Sequence, residues 1–153
     1  MRPLAIHINN STSLHQMLNT ILERTGPASV WLSSFSICDE AICSLKWMKD
    51  SGLITDLHCI LDYSMRKTRM DLLEFLAKIS EELILNHNHT KIILILNEKH
   101  SVSLITSANF TENRRWEVGI EHGLPEVAEI LLQFMKEAIK DGLPIIDKNE
   151  TKQ

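Results

Sequence analysis

The chain has 153 residues, 44% of them hydrophobic and 24% charged, enough for one globular core and too much for a mini-protein or a disordered tail. Lys and Arg number 16 against 20 Asp and Glu, a formal net charge of -4. No global positive field therefore draws a polyanion, and a nucleic acid partner would need a local patch.

Read in chain order, Met1-Arg2-Pro3 opens a segment that turns polar at Asn9-Asn10-Ser11 and lacks the apolar centre of a signal peptide. Leu14, Met17, Leu18, Ile21 and Leu22 recur at helical spacing after the cap candidates Ser11 and Ser13, and Gly26-Pro27 ends the pattern. Ser29 to Phe35 reads as a strand, and Asp39 caps a helix whose Ile42, Leu45 and Met48 point inward until Ser51-Gly52. Asp56 to Leu61 is a second strand, and Leu72, Leu73, Phe75, Leu76 and Ile79 mark another helix. Strand signals then follow at Glu82 to Asn86, His89 to Leu96, Val102 to Thr106 and Trp116 to Glu121. A last helix starts near Pro125, with its stripe running from Val127 to Ile139 and its end at Gly142. Successive strands without intervening helices require antiparallel pairs, so the expected fold is α/β, a mixed sheet with helices on both faces.

No repeat or linker divides the chain, which makes residues 1–146 one domain and 147–153 a loose tail. Cys38, Cys43 and Cys59 are odd in number and lack CxxC spacing. They suit a reduced compartment and are expected as small buried residues. The longest apolar run, Ile92 to Leu96, falls well short of the roughly 18 residues of a membrane span. The expectation is a cytoplasmic protein without stable membrane association.

Polar residues with chemical potential gather at two places. His87, His89 and Lys91 precede the most apolar strand, and Ser107, Asn109, Thr111 and Asn113 follow its neighbour. On strands, residues two apart share a face. With Leu96 opposite Val102 across a hairpin, Lys91 falls opposite Ser107 and His89 opposite Asn109, bringing together an imidazole, an ammonium, a hydroxyl and an amide. Imidazole attacks phosphorus directly, and the other three donate to the non-bridging oxygens of a phosphodiester, with no metal or other cofactor required.

His89-Thr90-Lys91, the segment Thr106-Ser107-Ala108-Asn109-Phe110-Thr111-Glu112-Asn113 and the later Trp116-Glu117-Val118-Gly119 resemble the HxK half-site and the GSxN-type segment of the phospholipase D superfamily. The order upstream, with a strand ending in Ser33-Ser34-Phe35-Ser36, is similar too, so the resemblance covers roughly Ala28 to His122. It implies that His89 becomes a phosphohistidine while a second histidine protonates the leaving group. It also implies that Lys91, Ser107 and Asn109 bind phosphate and that Glu117 orients the nucleophile. One HxK motif per chain implies a homodimer that builds one site from two copies. Two positions depart from the family pattern: the Asp expected five residues beyond the lysine falls at Leu96, and the Gly before the serine is Thr106.

The resulting expectation is a metal-independent phosphodiesterase, first of all a nuclease. The alternatives are an inactive module that binds nucleic acid or phosphate, and an enzyme acting on a lipid or other small phosphodiester. Arg66, Lys67, Arg69, Arg114 and Arg115 are the candidate phosphate guides, and Trp116 is either a base-stacking or a core residue. An HxH metal pair of His87 and His89 is the competing use of the histidines.

Overall fold

A computed structural model describes residues 4–111 and 115–145. The described chain runs β1 (Leu4–Asn9), α1 (Leu14–Thr25), β2 (Ala28–Ser33), α2 (Asp39–Asp50), β3 (Ile54–Asp62), α3 (Ser64–Thr68) and α4 (Met70–Ile79). It continues with β4 (Glu82–Asn86), β5 (Ile92–Leu96), β6 (Ser101–Thr106), β7 (Glu117–His122), α5 (Pro125–Asp141) and the short β8 (Leu143–Pro144). The strands form one sheet in the order β1-β7-β6-β5-β2-β3-β4-β8. β2, β3 and β4 run parallel, and the remaining pairs are antiparallel. This is the expected mixed α/β sheet; residues 147–153 lie outside the described residues.

Local chemistry accounts for the boundaries. Ser13 caps α1 in a capping box, its Oγ accepting from Gln16 N–H while Gln16 Oε1 accepts from Ser13 N–H at 2.9 Å. Gly26 then takes φ 79°, a conformation that side chains disfavour. Leu18, Leu45, Leu73 and Leu76 bury the apolar stripes of α1, α2 and α4 against Val30, Leu32, Leu57 and Ile93 on one sheet face. α5 covers part of the other face, where Met135 packs on Ile60, Ile92 and Leu94. Each fully buried aliphatic side chain of this kind contributes about 1.5–3 kcal/mol.

Several sequence expectations change. β1 and the short α3 were not anticipated, and β5 starts at Ile92 rather than His89. The hairpin pairs Leu96 with Ser101, one residue away from the expected partner Val102. Its cause is Asn97, whose Oδ1 accepts from Lys99 N–H at 3.0 Å and His100 N–H at 2.8 Å, tightening the turn. Lys91 therefore lies opposite Thr106, whose N–H donates to the Lys91 carbonyl at 3.1 Å, and not opposite Ser107. Cys59 is buried as expected and burial pushes its thiol up to about 12, whereas Cys43 is exposed on α2.

β1 and β7 carry an unusual surface. His7 and Glu121 turn toward α1, where Arg24 donates to Glu121 at 2.6 Å and His7 lies 3.2 Å from the same carboxylate. Ile6, Ile8, Val118 and Ile120 turn the other way and are exposed, Ile6 by 62%. The pairings Ile6–Ile120, Ile120–Ile105 and Ile105–Ile92 make one aliphatic row from the open edge to the strand beneath α5.

Candidate active site

To pass from β4 to β5 the chain must cross the ends of β3 and β2, and residues 87–90 make that crossing without strand pairing, which resumes at the Lys91 carbonyl. The period-of-two argument for His89 and Lys91 thus does not apply. Asn88 holds the crossing instead. It is 6% exposed, its amide donates to the Ser34 carbonyl at 3.0 Å, and its Oδ1 accepts from Thr90 Oγ1 at 2.7 Å and from Ser33 Oγ at 3.2 Å. Ser33 and Thr90 hydroxyls also lie 2.5 Å apart. With both neighbours tied down, His89 stays exposed above the end of β2, its ring centroid 5.4 Å from that of Phe35. Lys91 Nζ lies 3.3 Å from His89 Nδ1 and donates to the His89 carbonyl at 3.1 Å.

The segment after β6 reaches the same place. Phe110 is fully buried, its carbonyl accepting from Cys38 N–H at 2.8 Å and its N–H donating to Ser34 Oγ at 3.3 Å. Asn109 Oδ1 accepts from Phe35 N–H at 3.1 Å and sits 3.2 Å from Ser34 Oγ. Because Phe35 N–H can only donate, the oxygen of the Asn109 amide is the anchored end and the NH2 group is the end left to donate elsewhere. Ser107 Oγ donates to Glu117 and accepts from Val118 N–H at 3.1 Å. Glu117 thus meets Ser107, while Lys91 occupies the Nδ1 side of His89.

Asp62, at the end of β3, supports the crossing from below. Its Oδ1 accepts from Asn88 N–H and its Oδ2 from Ser64 N–H, each at 3.0 Å. Burial pushes its carboxyl up, but the hydrogen bonds from Ser64 and Asn88 and the nearby His87 outweigh burial and hold it below the usual carboxylate range. His87 packs edge-on against Tyr63, with ring centroids 4.8 Å apart. Among the described residues no group of three or more His, Cys, Asp and Glu is placed to hold a metal ion, so the HxH pair lacks further ligands there.

The candidate guides separate into classes. Arg66 and Lys67 lie exposed on α3 at this end of the sheet. Arg69 is engaged, donating to Asp39 at 2.8 Å and to Asp71 at 3.2 Å, which links the first turns of α2 and α4. Arg115 is exposed and Trp116 is 72% exposed, which overturns core packing for that indole. Arg114 lies outside the described residues. Asn88 and Asp62 were not candidates from sequence, because nothing local distinguishes an anchoring Asn or Asp from one in an ordinary loop.

No family model and no curated protein matches the sequence. Solved structures do. Nuc from Salmonella typhimurium, a phospholipase D family member, superposes with a TM-score of 0.73 at 17% identity, covering 94% of this chain and 99% of its own. NucT from Helicobacter pylori gives 0.69 at 16% identity, covering 93% and 99%. TrmBL2, an archaeal chromatin protein with a novel mode of DNA binding, gives 0.65 at 8% identity over 95% of this chain and 55% of its own. No helix among the described residues is long and apolar enough to cross a membrane.

Proposed function

We propose, on the premise that this chain has the phospholipase D-family fold, that it is a metal-independent phosphodiesterase and foremost a nuclease, working through a phosphohistidine at a site shared by two copies. One observation carries the reading. The loop bearing His89 and Lys91 is hydrogen-bonded to Ser33 and Ser34, and the segment bearing Ser107 and Asn109 to Ser34 and Phe35, so both hang on one short run with Ser34 in common. Nucleophile and phosphate donors thus share one rigid support, as charge stabilisation requires.

In the proposed reaction His89 Nε2 attacks phosphorus, and the P–O bond to the leaving group breaks as the P–N bond forms. Lys91 and Asn109 donate to the non-bridging oxygens. A phosphate oxygen competes with His89 Nδ1 for the Lys91 ammonium, freeing Nδ1 to hold a proton and leaving the lone pair on Nε2. The His89 of a second copy protonates the departing alkoxide, then takes a proton from the water that cleaves the P–N bond. Glu117 holds the Ser107 hydroxyl at the rim, and Arg66, Lys67, Arg114 and Arg115 guide the polyanion while Trp116 stacks a base.

The aliphatic row on β1, β7 and β6 supports the second copy. Its outward residues are the ones a monomer would ordinarily bury, and Ile130 on α5, 71% exposed, offers a matching apolar group. The second reading, a binding module without turnover, is favoured by Leu96 standing where the motif acid is expected and by the DNA-binding chromatin protein of like fold.

The deciding experiment is hydrolysis of bis(p-nitrophenyl) phosphate and of single- and double-stranded DNA and RNA, with and without EDTA, by wild type and His89→Ala. Activity that persists in EDTA and vanishes in His89→Ala, with an acid-labile phosphohistidine trapped in wild type, is the expected result. Nucleic acid binding with no cleavage between pH 5 and 8 would instead support the module.

A further inference from the structure

Beside His89, on the side toward α5, lies a cleft of about 460 Å3 lined by Asn86, His87, His89, Phe134, Glu137 and Asp141 among others. Its volume is that of a small-molecule site, for which roughly 300–1,000 Å3 is usual. Its wall holds two carboxylates, two imidazoles, two amides, a hydroxyl and a phenyl ring, and among the described residues no lysine or arginine lines it. Glu137 and Asp141 stand one helical turn apart on α5, and both are exposed. Asp141 is also the last residue of α5, where the helix dipole disfavours an acid. Local helix stability therefore gives no reason for a carboxylate at that place.

We infer that this cleft is a subsite for the group attached to the scissile phosphate, and that it takes a substituent bearing hydroxyl or amine donors and no further phosphate. The inference rests on the phosphodiesterase reading for the position of the phosphate at His89. Carboxylates accept from the vicinal hydroxyls of a ribose, and Phe134 gives the sugar or base an apolar contact. A second phosphate one nucleoside away, on the α5 side of the cleft, would meet Glu137 and Asp141 and no lysine or arginine, and like-charge juxtaposition of this kind is strongly unfavourable. In a symmetric dimer the same cleft recurs on both sides of the central phosphate. This narrows the proposed nuclease to short substrates: a phosphodiester between two uncharged groups, such as a dinucleotide, in preference to the interior of a polynucleotide.

The test compares two dinucleotides, adenylyl-adenosine and the same compound carrying a phosphate at each end. Binding is measured by calorimetry on the full chain with His89→Ala, which needs no turnover, and hydrolysis is measured on wild type. The expected result is binding of the unphosphorylated compound roughly tenfold or more tighter. The preference should disappear in Glu137→Gln/Asp141→Asn and reverse in Glu137→Lys/Asp141→Lys, with thermal denaturation confirming that both variants are folded. Equal affinities, or a preference that both variants retain, would overturn the inference. If wild type hydrolyses neither dinucleotide nor bis(p-nitrophenyl) phosphate, the phosphodiesterase reading fails while the affinity ratio still decides the cleft. If it hydrolyses both dinucleotides equally and binds them equally, the cleft fails and the phosphodiesterase stands.

Discussion

In β2, β3 and β5 the apolar side chains are covered on both faces of the sheet, by α1, α2 and α4 on one side and α5 on the other. In β1 and β7 the side chains facing the helices are His7 and Glu121, and the aliphatic ones face outward. The central half therefore obeys the usual rule for a monomer and the edge half inverts it. A buried carboxylate tied to Arg24 and His7 supplies little net stability once its desolvation is counted. The aliphatic row opposite it supplies none until something covers it. The inversion teaches that the central half holds the chain together, whereas the edge half leaves an aliphatic row exposed, the surface that the proposed second copy would cover.

Substitutions in the two halves should separate these roles, and the largest effect belongs to the centre. Leu32→Ala, at a site with no exposure, should lower unfolding free energy by about 3 kcal/mol in urea denaturation. Asn88→Ala should follow at about 2 kcal/mol, because it leaves the Ser34 carbonyl and the hydroxyls of Ser33 and Thr90 without their shared partner. Its loss of phosphodiesterase rate should exceed its loss of substrate affinity, since His89 remains present but loses its mooring. Ile6→Ser with Ile120→Ser should change monomer stability by only about 0.5 kcal/mol per site, yet turn a dimer into a monomer by sedimentation. Stability losses in the edge pair that match Leu32→Ala would erase the contrast between the halves.

What the sequence made legible follows the range of the forces involved. The helices of the first half, the apolar β5 and the end of α5 at Gly142 rest on local periodicity and caps, and they stand close to where those signals fall. β1 was hidden because its inward face carries only the small Ala5 and the polar His7 while Leu4, Ile6 and Ile8 face out, so its alternation, read against a monomer, marks the wrong face as core. The strand reading of His89 to Leu96 failed because the crossing at residues 87–90 is held by Asn88 bonded to Ser33 and Ser34, more than fifty residues earlier. The one-residue register error had a usable local signal, since Asn97 at the first position of a turn bonds its own backbone two and three residues on. The motif residues His89, Lys91, Ser107 and Asn109 were legible as chemistry, but the anchorage of the loop through Asn88 on Ser33 and Ser34, and of Asn109 on Ser34 and Phe35, depends on contacts that no spacing encodes.

The smallest effect is expected from pH and sharpens the same contrast on the central side. The folded Asp62 carboxyl lies below its usual range, so it binds a proton less readily folded than unfolded. Its contribution is fully present above the unfolded value, about 3.9, and is lost as pH falls through the depressed folded value. Asp62→Asn keeps one oxygen, which replaces only one of the two that accept from Asn88 and Ser64 N–H, and carries no titratable charge. The stability gap between wild type and Asp62→Asn should therefore be constant between pH 5 and 7 and shrink below about pH 4, measured by urea denaturation at each pH. A gap independent of pH would assign Asp62 a purely geometric role. A gap that shrinks on acidification together with the rate at His89 would show that the anion beneath Asn88 holds the crossing in place.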